Sequence, residues 1–164
     1  MAVPHLHRAL VVLALVFAPG LIACDSDNAE GNADEHGETH GDSICAQEDR
    51  DDEFAIGLRK SGEAVTVSFV AAAPAPPAMD DNTWTVALTD LDGEPLTNAS
   101  ITAVTPTMPD HGHGNAVVPT ATPTDTAGEF MITLNLNMVG LWDITLDIDA
   151  GGATDQVTFR FCVE

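Results

Sequence analysis

Two histidines separated by a single glycine stand in the stretch Thr107-Met108-Pro109-Asp110-His111-Gly112-His113-Gly114. In an extended backbone, residues two apart point to the same side, so His111 and His113 would offer two imidazoles to one ion. Gly112 and Gly114 remove side chains that would crowd the approach, and they permit positive φ. Pro109 stiffens the entry, and Met108 adds a soft thioether. Imidazole with thioether favours copper over hard cations. A histidine pair without cysteine or a local carboxylate triad is a poor structural zinc site. The expected chemistry is a copper ion held by Met108, His111 and His113. The plainer alternative is a polar loop whose imidazoles bond to backbone carbonyls or to Asp110. Met138 and Met79 could add donors from a distance, whereas Met131, out of phase with Phe130 and Ile132, should face outward.

Other groups carry less. His36 and His40 sit among Asp34, Glu35, Glu38 and Asp42, where binding an ion would cost the ordering of a flexible segment. Asp90, Asp92 and Glu94 around Gly93 fall short of a twelve-residue calcium loop and read as a polar turn. No serine is framed by a glycine elbow, and no helix follows a glycine cluster to cradle phosphate. The expectation is a domain that is not an enzyme.

The chain has three cysteines. Leu21-Ile22-Ala23-Cys24 closes an apolar run from Ala9 to Ile22, preceded by a short opening with His5, His7 and Arg8. The run is about 14 residues, and about 20 are needed to span a bilayer. The pattern resembles a bacterial lipoprotein signal, residues 1–23. That resemblance implies lipidation at Cys24 and an extracytoplasmic, membrane-anchored protein, on the periplasmic side or the cell surface. Cys45 and Cys162 remain, and an oxidising compartment predicts a disulfide between them. In the chain-entropy picture a loop of that length is worth about 5 kcal/mol at the upper end.

All 26 acidic residues follow Cys24, against Arg50, Arg59, Lys60 and Arg160. Such a chain is repelled by nucleic acid and anionic lipid, so no nucleic acid is expected as a partner. Residues 24–53 read as an acidic flexible tether, because Asp25 to Asp42 holds almost no large apolar side chain to offset the entropy of ordering.

From Phe54 onward the hydrophobic period is two. Val65, Val67 and Phe69 alternate with polar neighbours, as do Trp84, Val86 and Leu88; Phe130 through Leu136; Trp142 through Ile148; and Val157, Phe159 and Phe161. Each run predicts a strand with one buried face. Weaker strands are predicted over Ser100 to Val104 and Asn115 to Val118. Pro74 to Met79, Asp92-Gly93, Gly140 and Gly151-Gly152 break the runs. Residues 54–164 therefore predict an all-β fold, a small antiparallel immunoglobulin-like β-sandwich, with Trp84 and Trp142 as core pillars. Trp142 could instead wall the histidine loop. The same parity that buries Phe159 and Phe161 turns Cys162 outward, so the disulfide should fasten the incoming segment to the last strand from outside the core.

Met108-Pro109-x-His111-Gly112-His113-Gly114, then Phe130 and Gly140-Leu141-Trp142-Asp143-Ile144, resembles the YtkA-like domain of exported bacterial proteins. The upstream Trp84-Thr85-Val86, Asp92-Gly93-Glu94-Pro95-Leu96 and Ala99-Ser100-Ile101 are similar to its strand-turn-strand opening, so the resemblance covers roughly residues 62–162. More distantly, that family resembles FixH-like proteins linked to cation pumps and copper-oxidase assembly. The resemblance implies a copper or other metal role, with Met108, His111 and His113 as ligands. The leading expectation is a lipid-anchored domain that binds copper transiently. The alternative is a metal-independent interaction or structural module that docks to an envelope partner.

Overall fold

The computed structural model describes residues 43–164. The signal segment, Cys24, His36 and His40 lie outside the described residues. Nine strands follow in order: β1 Arg59–Ser61, β2 Thr66–Ala73, β3 Asp80–Thr89, β4 Ser100–Met108, β5 His113–Gly114, β6 Thr120–Pro123, β7 Glu129–Leu136, β8 Gly140–Asp149 and β9 Thr154–Val163. They form two antiparallel sheets, β1-β2-β3-β7-β6 and β5-β4-β8-β9. The predicted all-β sandwich is the observed architecture.

The alternation explains the packing. Trp84, Val86 and Leu88 from β3, Ile132 and Leu136 from β7, and Trp142, Ile144, Leu146 and Ile148 from β8 are all buried in one core. Both tryptophans are fully inaccessible, as core pillars should be. Phe69 is the aromatic hub, meeting Trp84 edge-on at 5.1 Å and Phe159 at 4.9 Å. Edge-to-face pairs of this kind add to plain burial because the ring edge is positive and the face negative. Met131 is exposed, as its parity predicts.

Two predicted boundaries differ from the structure. Asn115 to Val118 is not a strand; β5 ends at Gly114 and β6 begins at Thr120. The Asn115 side chain accepts from Val117 N at 3.0 Å and donates to the Asn135 carbonyl at 2.7 Å. A side chain that bonds its own backbone offers the chain a turn instead of a ladder. Ser43 to Glu53, expected to belong to the tether, is instead fastened to the domain. Ser43 caps a 3-10 turn, Ile44–Gln47. Cys45 is disulfide-bonded to Cys162, with the Cα atoms 5.5 Å apart. Asp52 N donates to the Arg160 carbonyl, and Arg160 N donates to Asp52 Oδ2, each at 2.7 Å. Lys60 pairs with Asp52 at 2.7 Å. The acidic composition of this strap hides these pairings, because Asp52 is engaged by Lys60 and Arg160 from outside the strap.

Candidate functional site: the histidine hairpin

The Met108 to Gly114 segment is a tight hairpin at the end of the β4–β8 sheet. Met108 and His113 are register partners, as are Thr107 and Gly114. His111 N and Gly112 N both donate to the Met108 carbonyl, at 3.2 and 2.9 Å. Gly112 turns the chain at φ +70°, a region in which a Cβ is strained. At Gly114 a Cβ would strike the Pro106 carbonyl, so glycine permits the close approach of β5 to β4.

This turn brings the two imidazoles together. The rings of His111 and His113 lie 5.7 Å apart by centroid and 85° apart in plane. Two imidazoles sharing one ion at about 2.0–2.1 Å per nitrogen have centroids on the order of 5–6 Å apart, so the spacing suits a shared ion. The route to that spacing differs from the expected one. A β-turn, not two alternate positions of an extended strand, produces it. With its proton on Nδ1, His113 donates to the Gly114 carbonyl at 3.2 Å and keeps the Nε2 lone pair for a ligand. Both histidines are exposed.

Met108 is placed differently. It is 1% exposed and belongs to the hydrophobic core. Its methyl lies where a Cβ on Gly140 would come within 3.0 Å. The thioether is thus packed inward, while the imidazoles face solvent. Strand parity accounts for this, since Val104 and Met108 share the buried face of β4. Met138 is only partly buried, and its carbonyl accepts from Trp142 Nε1 at 2.9 Å. Trp142 is wholly inside, so it does not wall the loop. Met79 is exposed in the segment between β2 and β3.

Asp110 is the carboxylate adjacent to the pair, and it is engaged by Arg50 from the strap. Arg50 Nη1 donates to Asp110 Oδ1 at 2.9 Å, and Nη2 to Oδ2 at 2.7 Å. The same guanidinium binds Glu48. Hydrogen bonds from Arg50 hold the Asp110 carboxyl below its usual range, and they pull Glu48 down to about 2. Arg160, paired with Asp143, adds positive potential beside Asp110. Among the described residues no group of three or more His, Cys, Asp and Glu side chains is gathered as a metal site. The other acidic turn behaves as expected: Asp90 Oδ1 accepts from Asp92 N and Glu94 N at 3.0 and 2.8 Å, closing a polar turn. The Arg50–Asp110 fork was not legible in the sequence, because nothing in the spacing of two residues so far apart announces a contact.

A family profile described as YtkA-like matches residues 48–147, more than half of the chain. The chain belongs to the YtkA-like family. The match begins inside the strap, at Glu48, and spans the histidine hairpin. No curated protein matches the chain. A crystal structure of a DUF4426 family protein from Pseudomonas aeruginosa PAO1 is similar at 10% identity and a TM-score of 0.47, covering 64% of this chain and 94% of that one.

Proposed function

We propose that this YtkA-like protein is a lipid-anchored extracytoplasmic domain whose histidine hairpin binds a copper ion transiently, for buffering or handover. The carrying observation is the 5.7 Å approach of the His111 and His113 rings on a solvent-facing turn. Imidazole suits copper, and two donors hold an ion weakly enough to release it. His111 and His113 are the ligands in this reading. Met108, near them in sequence, has its thioether buried, which argues for a packing role beneath the turn. The anchor at Cys24 and the export signal rest on the residues that precede the domain. In this reading the domain serves as a binding module.

The test is a copper titration of the full chain. The His111→Ala, His113→Ala double variant should lose at least tenfold in affinity, and Met108→Leu should retain it. Binding by the double variant equal to the parent's would remove the hairpin from consideration.

The alternative, a metal-independent module docking to an envelope partner through the same turn, is supported by the exposed rings and by the Arg50 fork that holds the turn through Asp110. Partner capture indifferent to chelator and lost with the hairpin would select it.

A further inference from the structure

Away from the histidine hairpin, the segment between β2 and β3, the strap and the end of β9 enclose a groove of about 620 Å³. That volume lies in the range of ligand-binding clefts. Its floor is apolar: Phe54, Phe161, the Cys45–Cys162 disulfide and the ring of buried Pro77. Phe54 is held edge-on against Phe69 at 5.4 Å and against Phe161 at 5.7 Å, so this floor is already formed. Pro74, Pro76 and Pro77 restrict the backbone of the opposite wall. A preformed site saves its occupant the entropy of ordering the walls.

The rim has one sign of charge. Asp51, Glu53 and Glu164 line the groove. Among the described residues these three form no ion pair, whereas Arg50, Lys60 and Arg160 are all engaged with other carboxylates. Asp52, which also lines the groove, is bound by Lys60 and by Arg160 N. The charge selects the occupant. The chain's own segment 25–42 carries acids and no Lys or Arg, and a second copy carries a formal net charge of -21, so both are repelled. Anionic lipid is repelled for the same reason. An apolar surface ringed by free carboxylates matches a ligand that is apolar at its centre and cationic at its flanks.

We propose that this groove receives a short basic peptide segment of a partner protein, with an aliphatic or aromatic side chain set between Lys or Arg residues. The apolar side chain rests on Phe54, Phe161 and Pro77. The flanking cations meet Asp51, Glu53 and Glu164. The site needs no metal and shares no residue with the histidine hairpin, so its fate is separable from that of the copper reading.

The probe is the hexapeptide Gly-Arg-Leu-Phe-Arg-Gly, titrated with chelator present into the isotope-labelled full chain in neutral detergent and followed by NMR. Shifts should concentrate at Phe54, Ala75, Ala78 and Phe161. Binding should weaken with added salt. The triple variant Asp51→Asn, Glu53→Gln, Glu164→Gln changes only exposed carboxylates and should weaken binding about tenfold, the scale of three exposed charge pairs. Ala78→Trp should fill the groove and abolish binding, with the remaining resonances unchanged as the check on folding. The charge-swapped peptide Gly-Glu-Leu-Phe-Glu-Gly should not bind. Absence of shifts at millimolar peptide, shifts scattered over the acidic surface, equal binding of the charge-swapped peptide, or an unaffected triple variant would each overturn the proposal.

Discussion

Arg50 grips Asp110 with both nitrogens of its guanidinium fork, at 2.9 and 2.7 Å, across 60 residues of sequence. One end of this contact belongs to the strap that Cys45 bonds to Cys162. The other is the residue next to His111. The disulfide-tethered segment therefore reaches the hairpin directly and occupies the carboxylate that would serve most readily as a third donor.

Freeing that carboxylate should strengthen copper binding. Arg50→Gln is expected to raise copper affinity on the order of two- to fivefold, the scale of an exposed ion pair. Arg50→Gln combined with Asp110→Asn should return it to the parent value. Competition titration of the three proteins against a chromogenic chelator checks both. Equal affinities throughout would show that Asp110 takes no part.

The disulfide should dominate the stability of the strap. Replacing Cys45 and Cys162 by serine is expected to lower unfolding free energy by about 2–5 kcal/mol, since the bond closes nearly the whole domain into a loop. Urea denaturation of the oxidised parent and the double variant measures the difference. Proteolysis near Asp49 should also accelerate, because the released strap is then held only by the polar contacts of Arg50 and Asp52.

Asp155 acts as a backbone cap for the turn before β2. Its carboxylate accepts from Glu63 N, Ala64 N and Val65 N at 2.8 to 3.1 Å. Burial pushes its pKa up, but hydrogen bonds from Ala64, Glu63, Gln156 and Val65 outweigh burial, and the net direction is downward. A folded-state value below the unfolded one means that the ionised form stabilises the fold. The contribution is therefore complete above the ordinary aspartate range and is lost as pH falls through the lowered value. Asp155→Ala should cost about 1–3 kcal/mol at neutral pH. Urea midpoints at pH 7 and pH 3 should fall less for this variant than for the parent.

Gly112 should tolerate no side chain without cost. Alanine at φ +70° is expected to destabilise the hairpin by about 1–2 kcal/mol. Because no atom lies near its Cβ position, the cost is conformational and not steric. Thermal denaturation reads the stability, and amide exchange at His113 should rise selectively. A variant as stable as the parent, with unchanged exchange, would mean that the turn relaxes freely.

The period-two runs carried most of the fold in the sequence. Val67 and Phe69, Trp84 to Leu88, Phe130 to Leu136, Trp142 to Ile148 and Val157 to Phe161 lie on the inner faces of β2, β3, β7, β8 and β9, because alternation is a local property that a strand converts directly into burial. The disulfide was legible too: with Cys24 set aside by its resemblance to a lipoprotein signal, Cys45 and Cys162 were the expected pair. The histidine pair announced itself by spacing, though the turn that joins its rings did not. Residues 115–118 misled, because Asn115 satisfies its turn through its own side chain.

Sequence alone determined which strand residues are inside and which two histidines are neighbours, since each follows from parity or spacing within a short stretch, while the cysteine pair followed from counting thiols and not from any local pattern. Only the tertiary structure decided that Arg50 lies on Asp110, that the strap is fastened through Asp52 to Arg160, and that Phe54, Pro77 and Phe161 share one groove. Those relationships join segments far apart in the chain. They depend on how two sheets stack and where a strap crosses them, and no local pattern encodes that geometry.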